Sequence, residues 1–380
     1  MNLSIKPWAI LLFILLPAPL LADDAYLALE REGTLLRLQG DFEDAALIEQ
    51  RLLEQSDDPV GHVFALNTII THLTWDETDD SYDDQLQYHA DEVLAWCEEK
   101  LDDNRRDAKA HYYCGQANFA LTYFHGLKGR YYKAGRRGTN CIEHLEAALE
   151  ADPSLVDAKM HLGVSYYVAD NLPPFIKMFS RFLWFIPSGN SEKSLPYLRE
   201  VISEGDQYQD VARYIYATLL LEDPVLRIEA EEQLRTLVQH YPDNKRFQLR
   251  LISVLMMQDD YEGTLNAVTA YLNSDSPPEE PNLSLAKIWQ VRAYMGLKEI
   301  ELANQTFAET DEIFDVSSDE LPGWSVAWHK LTDGQLQDLA NNRDRARATY
   351  EEILEIAKST YVNEVIIEAA KSGLLSPYTL

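Results

Sequence analysis

Cysteine is scarce: the chain has three, at positions 97, 114 and 141 of 380. A disulfide-dense module is therefore excluded, and an odd count leaves at least one cysteine unpaired within the chain. Basic side chains are also few, with 33 Lys and Arg against 63 Asp and Glu, a formal net charge of −30. A nucleic acid as main partner needs a basic surface for its phosphates, so that class is excluded. Acidity of this size serves solubility first. Strand-like alternation is missing, while Leu, Ala, Glu and Tyr dominate, so the chain reads as all-α. Catalytic signatures are missing too. The chain holds no G-x4-G-K-[ST] phosphate loop, no G-x-S-x-G nucleophile motif and no close His/Cys/Glu grouping with zinc-site spacing. These absences lead us to expect a protein that is not an enzyme and has no cofactor or metal site.

Long apolar runs are confined to the N-terminus. Lys6 precedes the run Trp8 to Leu21, and Ala22 precedes Asp23 and Asp24. This pattern predicts a cleaved signal peptide over 1–22. The other reading is a retained anchor, but the run is short for a bilayer and contains two prolines. Export, with no glycine-rich or disulfide-dense module, points to a bacterial periplasm. Lys6 is the only charge in 1–22, so the mature chain would be near −31.

The most informative stretch is Cys141 to Tyr167, CIEHLEAALEADPSLVDAKMHLGVSYY. Leu145, Ala148 and Leu149 share one helical face, and Asp152-Pro153-Ser154 stops the helix because proline cannot continue the hydrogen-bond ladder. A second helix begins near Val156 and carries Leu162, Tyr166 and Tyr167. Gly163 sits inside it, where glycine costs about 1 kcal/mol against alanine. A neighbouring helix pressed close would account for it.

These residues resemble the tetratricopeptide repeat, whose pattern is W-x2-L-G-x2-Y, then A-x3-F, then P, in about 34 residues. Cys141, Leu145, Ala148 and Pro153 fall on the helix B positions, and Leu162, Gly163 and Tyr166 on the next helix A. Ala45, Ala230 with Leu234 and Pro242, Ala303 with Phe307, and Gly334 with Ala346 and Tyr350 repeat the register. The resemblance implies a right-handed α-solenoid of about eight antiparallel hairpins, closed by a helix near 360–373. A polar, proline-rich stretch, 274–282, divides an N-terminal array (23–273) from a C-terminal one (283–380).

Two hairpins carry added length. Between Cys114 and Cys141 the spacing is 27 residues, where an ordinary repeat has about 12 to 13. About two extra turns on each helix would absorb this and make the hairpin protrude. Its expected tip, 126–138, holds Lys128, Arg130, Lys133, Arg136 and Arg137, either a docking point or a solvated loop paired with nearby carboxylates. The second insertion, 171–190, crowds aromatic residues including Phe179 and Trp184 beside Lys177 and Arg181. It suits either a membrane interface or a core segment that fills the groove. Both insertions leave the same edge of a solenoid, so together they form a candidate docking edge. The acidic connector 75–84 lacks EF-hand spacing and glycine, and reads as a solvated, helix-capping loop.

The resemblance further implies a concave groove, lined by helix A, that takes a protein or peptide. The register puts Tyr112, Gln116, Phe119, Met160, Tyr167, Arg246, Met257 and Arg292 there. The Lys and Asn with which some relatives clamp a carboxylate are absent: Tyr112 and Gln116, Met160 and Val164, and Leu249 and Ser253 stand in those places. Cys114 and Cys141 should face each other across the long hairpin, as a disulfide or as two small buried hydrophobes. The leading expectation is a periplasmic scaffold that binds envelope proteins. A peripheral membrane protein is second, and an unrecognised enzyme third.

Overall fold

The computed structural model describes residues 18–380 except 56–57, 75–76, 78, 172–189, 222, 275–277, 279–281, 318–320, 322 and 359–361. Most of the expected signal peptide and the aromatic insertion, with Phe179 and Trp184, lie outside the described residues. Among the described residues there are 17 α-helices and no strand. They are α1 (Ala18–Gln39), α2 (Phe42–Gln55), α3 (Val60–Leu73), α4 (Asp83–Asp103), α5 (Ala108–Leu127), α6 (Tyr131–Ala151), α7 (Ala158–Asp170), α8 (Ser191–Glu204) and α9 (Gln209–Leu220). They continue as α10 (Arg227–His240), α11 (Lys245–Met257), α12 (Tyr261–Leu272), α13 (Asn282–Gly296), α14 (Ile300–Ser317), α15 (Gly323–Leu339), α16 (Arg343–Ile356) and α17 (Glu364–Leu375). Each helix packs on the next, and odd-numbered neighbours also touch, as α3 with α5, α13 with α15, and α15 with α17. Packing continues across 274–282, because α13 touches both α11 and α12.

The small-residue register explains this packing. Ala45, Cys141, Ala230, Ala303 and Ala346 are all 0–1% exposed. A small side chain there lets the paired helix approach, and the larger neighbours fill the space beside it. Gly163 is inside α7 for the expected reason: a Cβ on it would lie 3.1 Å from the Ser194 carbonyl of α8, whose hydroxyl donates to the Gly163 carbonyl at 2.8 Å. Gly334 meets Tyr350 in the same way.

Five hairpins share one turn. Gly40, Gly129, Asp259, Lys298 and Asn341 have φ between 58° and 94°, and each stands two residues before α2, α6, α12, α14 and α16 respectively. In all five the amide of that residue donates to the carbonyl three back, and the next amide to the carbonyl five before itself. This left-handed closure satisfies the last carbonyls of the first helix. Three of the five use Asp, Lys or Asn, so the pattern is hard to read from glycine alone.

Two sequence expectations are corrected. The basic tip is not a loop over 126–138. The turn is Lys128–Arg130, and residues from Tyr131 onward are already α6. The added length goes into the helices, as the spacing predicts, with 20 residues in α5 and 21 in α6. The disulfide pairs Cys114 with Cys97 of α4, across a Cα–Cα distance of 6.0 Å, and not with Cys141. Leu145 fills the gap between α5 and α6 against Gly115. Cys141 turns to α7, with its Sγ 3.4 Å from the Ser165 hydroxyl. Burial pushes its thiol up to about 12, so it is an inert core residue.

Candidate functional site

The expected groove is not open around Gln116. Gln116 is buried, and Asn67 Nδ2 of α3 donates to its Oε1 at 3.3 Å and to the Tyr208 hydroxyl at 3.1 Å. The His161 ring, 2% exposed, sits edge-on to Phe119 (5.0 Å) and Tyr208 (5.7 Å) between ring centroids. Met160 is buried in the same cluster as Tyr208. The first helices thus fold against the segment from Gln207 to Arg246. Gln207 Nε2 donates to Glu30 at 2.9 Å, Asn244 Nδ2 to the Leu38 carbonyl at 2.8 Å, and Arg246 Nη1 to the Thr71 carbonyl at 2.8 Å.

The remaining groove residues scatter. Arg246 also lies over Phe42, 5.4 Å from the ring centroid. Tyr167 is half-buried on α7, and Met257 is exposed at the end of α11. Arg292 belongs to the C-terminal helices, where it donates to Gln335 at 2.9 Å and stacks on Trp328 at 4.9 Å. Tyr112 lines an open cavity.

That cavity is a cleft of about 620 Å³ where α1 meets the links α2–α3, α4–α5, α6–α7 and α8–α9. Its walls carry Glu30, Asp58, Asp107, Asp152, Asp157, Glu204 and Asp206 against two cations, Arg106 and Lys109, with Tyr26, Tyr112 and Tyr113 beside them. Local chemistry fixes several of these groups. Asp107 caps α5 by accepting the Ala110 amide at 2.9 Å. Asp157 accepts the amides of Asp206 at 3.1 Å and Gln207 at 2.9 Å, tying the α6–α7 link to the α8–α9 link. Lys109 pairs with Asp58 at 2.6 Å, and Arg31 with Asp206.

Burial sets the electrostatics. Glu30 is 6% exposed, and loss of water pushes its carboxyl up to about 7, against the hydrogen bond from Gln207 and the charge of Arg37. Burial also raises Asp157, despite the backbone amides it accepts, and raises the Tyr112 and Tyr208 phenols well above their usual range. A carboxyl that titrates near neutrality in a cleft can exchange a proton or neutralise a cation. Sequence reading missed Glu30, Asp157 and Gln207, because the residues that make them a site are 50 to 177 positions apart. The helix-capping role of Asp107, by contrast, was open to inspection.

The expected docking edge is split. Lys128 pairs with Asp83 at 2.8 Å, and Arg137 donates to Asn118 at 3.2 Å. Arg130, Lys133 and Arg136 are exposed beside Tyr131 and Tyr132, which are 51% and 53% exposed. Among the described residues, no helix is long and apolar enough to cross a membrane, and no group of three or more His, Cys, Asp or Glu is placed to hold a metal ion. Comparison with known protein families and with curated proteins finds no match.

Proposed function

We propose that this chain is a tetratricopeptide-like scaffold in the cell envelope that binds a protein partner without catalysis. In this reading α1 to α16 form eight hairpins of a right-handed solenoid and α17 caps it. Support for the repeat comes from the shared left-handed turn and the buried small-residue register. The function rests on one observation: four inter-hairpin links and α1 converge on an open, acidic, tyrosine-bearing cleft. Such a surface suits a basic, extended segment of a partner, with carboxylates for its cations and phenol rings for its side-chain stems.

The test is a photo-crosslinking residue at Leu27 or Arg106, both on the cleft, with Val225, which is 82% exposed, as a control. Discrete protein adducts from the first two positions and not from Val225 are expected. Adducts equally strong from all three would end this reading of the cleft.

A second reading, contact with a membrane surface, draws on the exposed Arg130, Lys133 and Arg136 beside two tyrosines at the tip of α6. It expects salt-sensitive co-sedimentation with anionic liposomes that Arg136→Glu abolishes. Absence of binding at low salt would remove it.

A further inference from the structure

Seven of the nine histidines lie on α3 to α7, and four of those form two pairs. His62 Nδ1 of α3 is 2.9 Å from His89 Nδ1 of α4, and His111 Nδ1 of α5 is 2.9 Å from His144 Nδ1 of α6. Each pair joins the two helices of one hairpin, in consecutive hairpins. Neither has a role in the acidic cleft or in the closure around Gln116. His62, His111 and His144 are half-buried, and His89 is buried at 9% exposed.

We infer that each of these imidazole pairs is a seat for one borderline transition-metal ion, Zn(II) or Cu(II), held by the two Nδ1 atoms and completed by water. The spacing carries the argument. A tetrahedral ion with nitrogen ligands at about 2.0–2.1 Å holds two of them about 3.3 Å apart, so each pair needs to open by about 0.4 Å. Rotation of the half-buried His62 ring in the first pair, and of both half-buried rings in the second, supplies that.

The second seat is half prepared. His111 Nε2 lies 3.1 Å from the Arg105 carbonyl, which accepts only from a protonated Nε2. His111 Nδ1 therefore carries the lone pair, and His144 Nδ1 carries the proton between the rings. A ligating histidine commonly has its far N–H anchored on a carbonyl in this way. Binding then requires only that His144 move its proton from Nδ1 to Nε2. The ion takes two neutral nitrogens, and no net proton is released. In the first seat Glu92 stands one turn beyond His89 on α4, at the i, i+3 spacing that shares a face, and its charge acts on His62. Its carboxylate is exposed and can swing in as a third donor.

His89 and His144 are already in the neutral form a metal needs. Burial and the neighbouring imidazole bring His89 down to about 4 and His144 down to about 4, so proton competition is weak at neutral pH. Neither seat needs a third protein ligand, and so neither has a sequence signature: His62 and His89 are 27 residues apart, His111 and His144 33.

The test uses the full chain without a polyhistidine tag, titrated with Zn(II) at pH 7.5 against a chromophoric chelator, in excess Mg(II) to occupy surface carboxylates. Two ions per chain are expected, falling to one in His89→Gln or His144→Gln and to none in the double variant. His62→Gln and His111→Gln, on the opposite helices, give the same losses if the first variants fold poorly by circular dichroism. With Cu(II), paramagnetic resonance should show coupling to two nitrogens per ion. Stoichiometry that ignores the histidine substitutions, or ions displaced by Mg(II), would mean carboxylate binding alone and would overturn the inference. So would absence of Zn(II) binding in the folded wild-type chain.

Discussion

Glu30, Leu38 and Asn67, in α1 and α3, reach across 177, 206 and 141 residues to Gln207, Asn244 and Tyr208. In the last three helices the polar ties are local. Asp338 accepts from Arg343 at 2.9 and 3.2 Å, from the Tyr350 hydroxyl at 2.9 Å and from the Tyr378 amide at 2.8 Å, across 5, 12 and 40 residues. Arg343 goes on to the carbonyls of Gly373 and Leu374, which end α17. Both regions bury carboxylates, but in different company. Asp338 meets a guanidinium, a phenol and an amide. Glu30 has an amide side chain and lies among Asp58 and Asp157, which raise its pKa further. A tandem array can thus be closed by a satisfied hub at one end, and at the other by a group whose charge is in question near neutral pH. The first gives a locally tied cap, the second a pH-sensitive seam between distant helices.

The largest effect should come from breaking the hub. Asp338→Ala leaves Arg343 without its buried partner, at a cost of about 3–5 kcal/mol. Hydrogen exchange should show faster amides in α15–α17 and little change in α1–α9. An equal loss in both regions would show that the two ends do not act separately.

Next is the seam. The folded state holds the Glu30 proton up to about 7, whereas the unfolded chain releases it near the ordinary 4.5. Stability therefore falls as pH rises from about 4.5 to 7, and levels off above that. Glu30→Gln removes this term, so its stability relative to wild type should grow between pH 5 and pH 8 by on the order of 3 kcal/mol. Urea unfolding at the two pH values measures this, and parallel curves would refute it.

Asn244 does two jobs. Its Oδ1 accepts the Arg246 and Phe247 amides at 2.9 and 3.2 Å, capping α11, and its Nδ2 holds the end of α1. Asn244→Ala should cost about 1–2 kcal/mol, with exchange rising at both helix ends. Asn244→Asp should restore the cap alone and leave α1 loose.

The smallest effect is chemical. Mass mapping of unreduced, oxidised protein should find Cys97 joined to Cys114 and Cys141 as the free thiol, unreactive to alkylation until the chain unfolds. A peptide linking Cys141 to either partner would contradict the packing of Leu145 against Gly115.

Most helices were legible because each is specified locally. The spacing Leu145–Ala148–Leu149, the stop at Asp152-Pro153 and the register of Ala230, Leu234 and Pro242 require only residues within a turn or two of one another. The helix expected to begin near Val156 corresponds to Ala158–Asp170, and the closing helix expected near 360–373 to Glu364–Leu375. The tip was set too wide, at 126–138, because a single left-handed Gly129 suffices to turn the chain. The disulfide was misassigned because a repeat register says which residues share a level, not which side chain has room to point across it.

What the sequence determined alone was the all-α character, the approximate position of most helices, the small positions that let neighbours approach, and the acidic composition. These follow from periodicity, backbone stereochemistry and composition, which act over a few residues or over none in particular. Only the tertiary structure decided that the face around Gln116 is filled, that Glu30, Asp157 and Gln207 meet in one cleft, and that four histidines form two pairs. The first two depend on how small rotations between successive hairpins add up over 50 to 206 residues, and that sum is set by packing along the whole array; the histidine pairs depend on how the two helices of one hairpin register against each other over 27 and 33 residues.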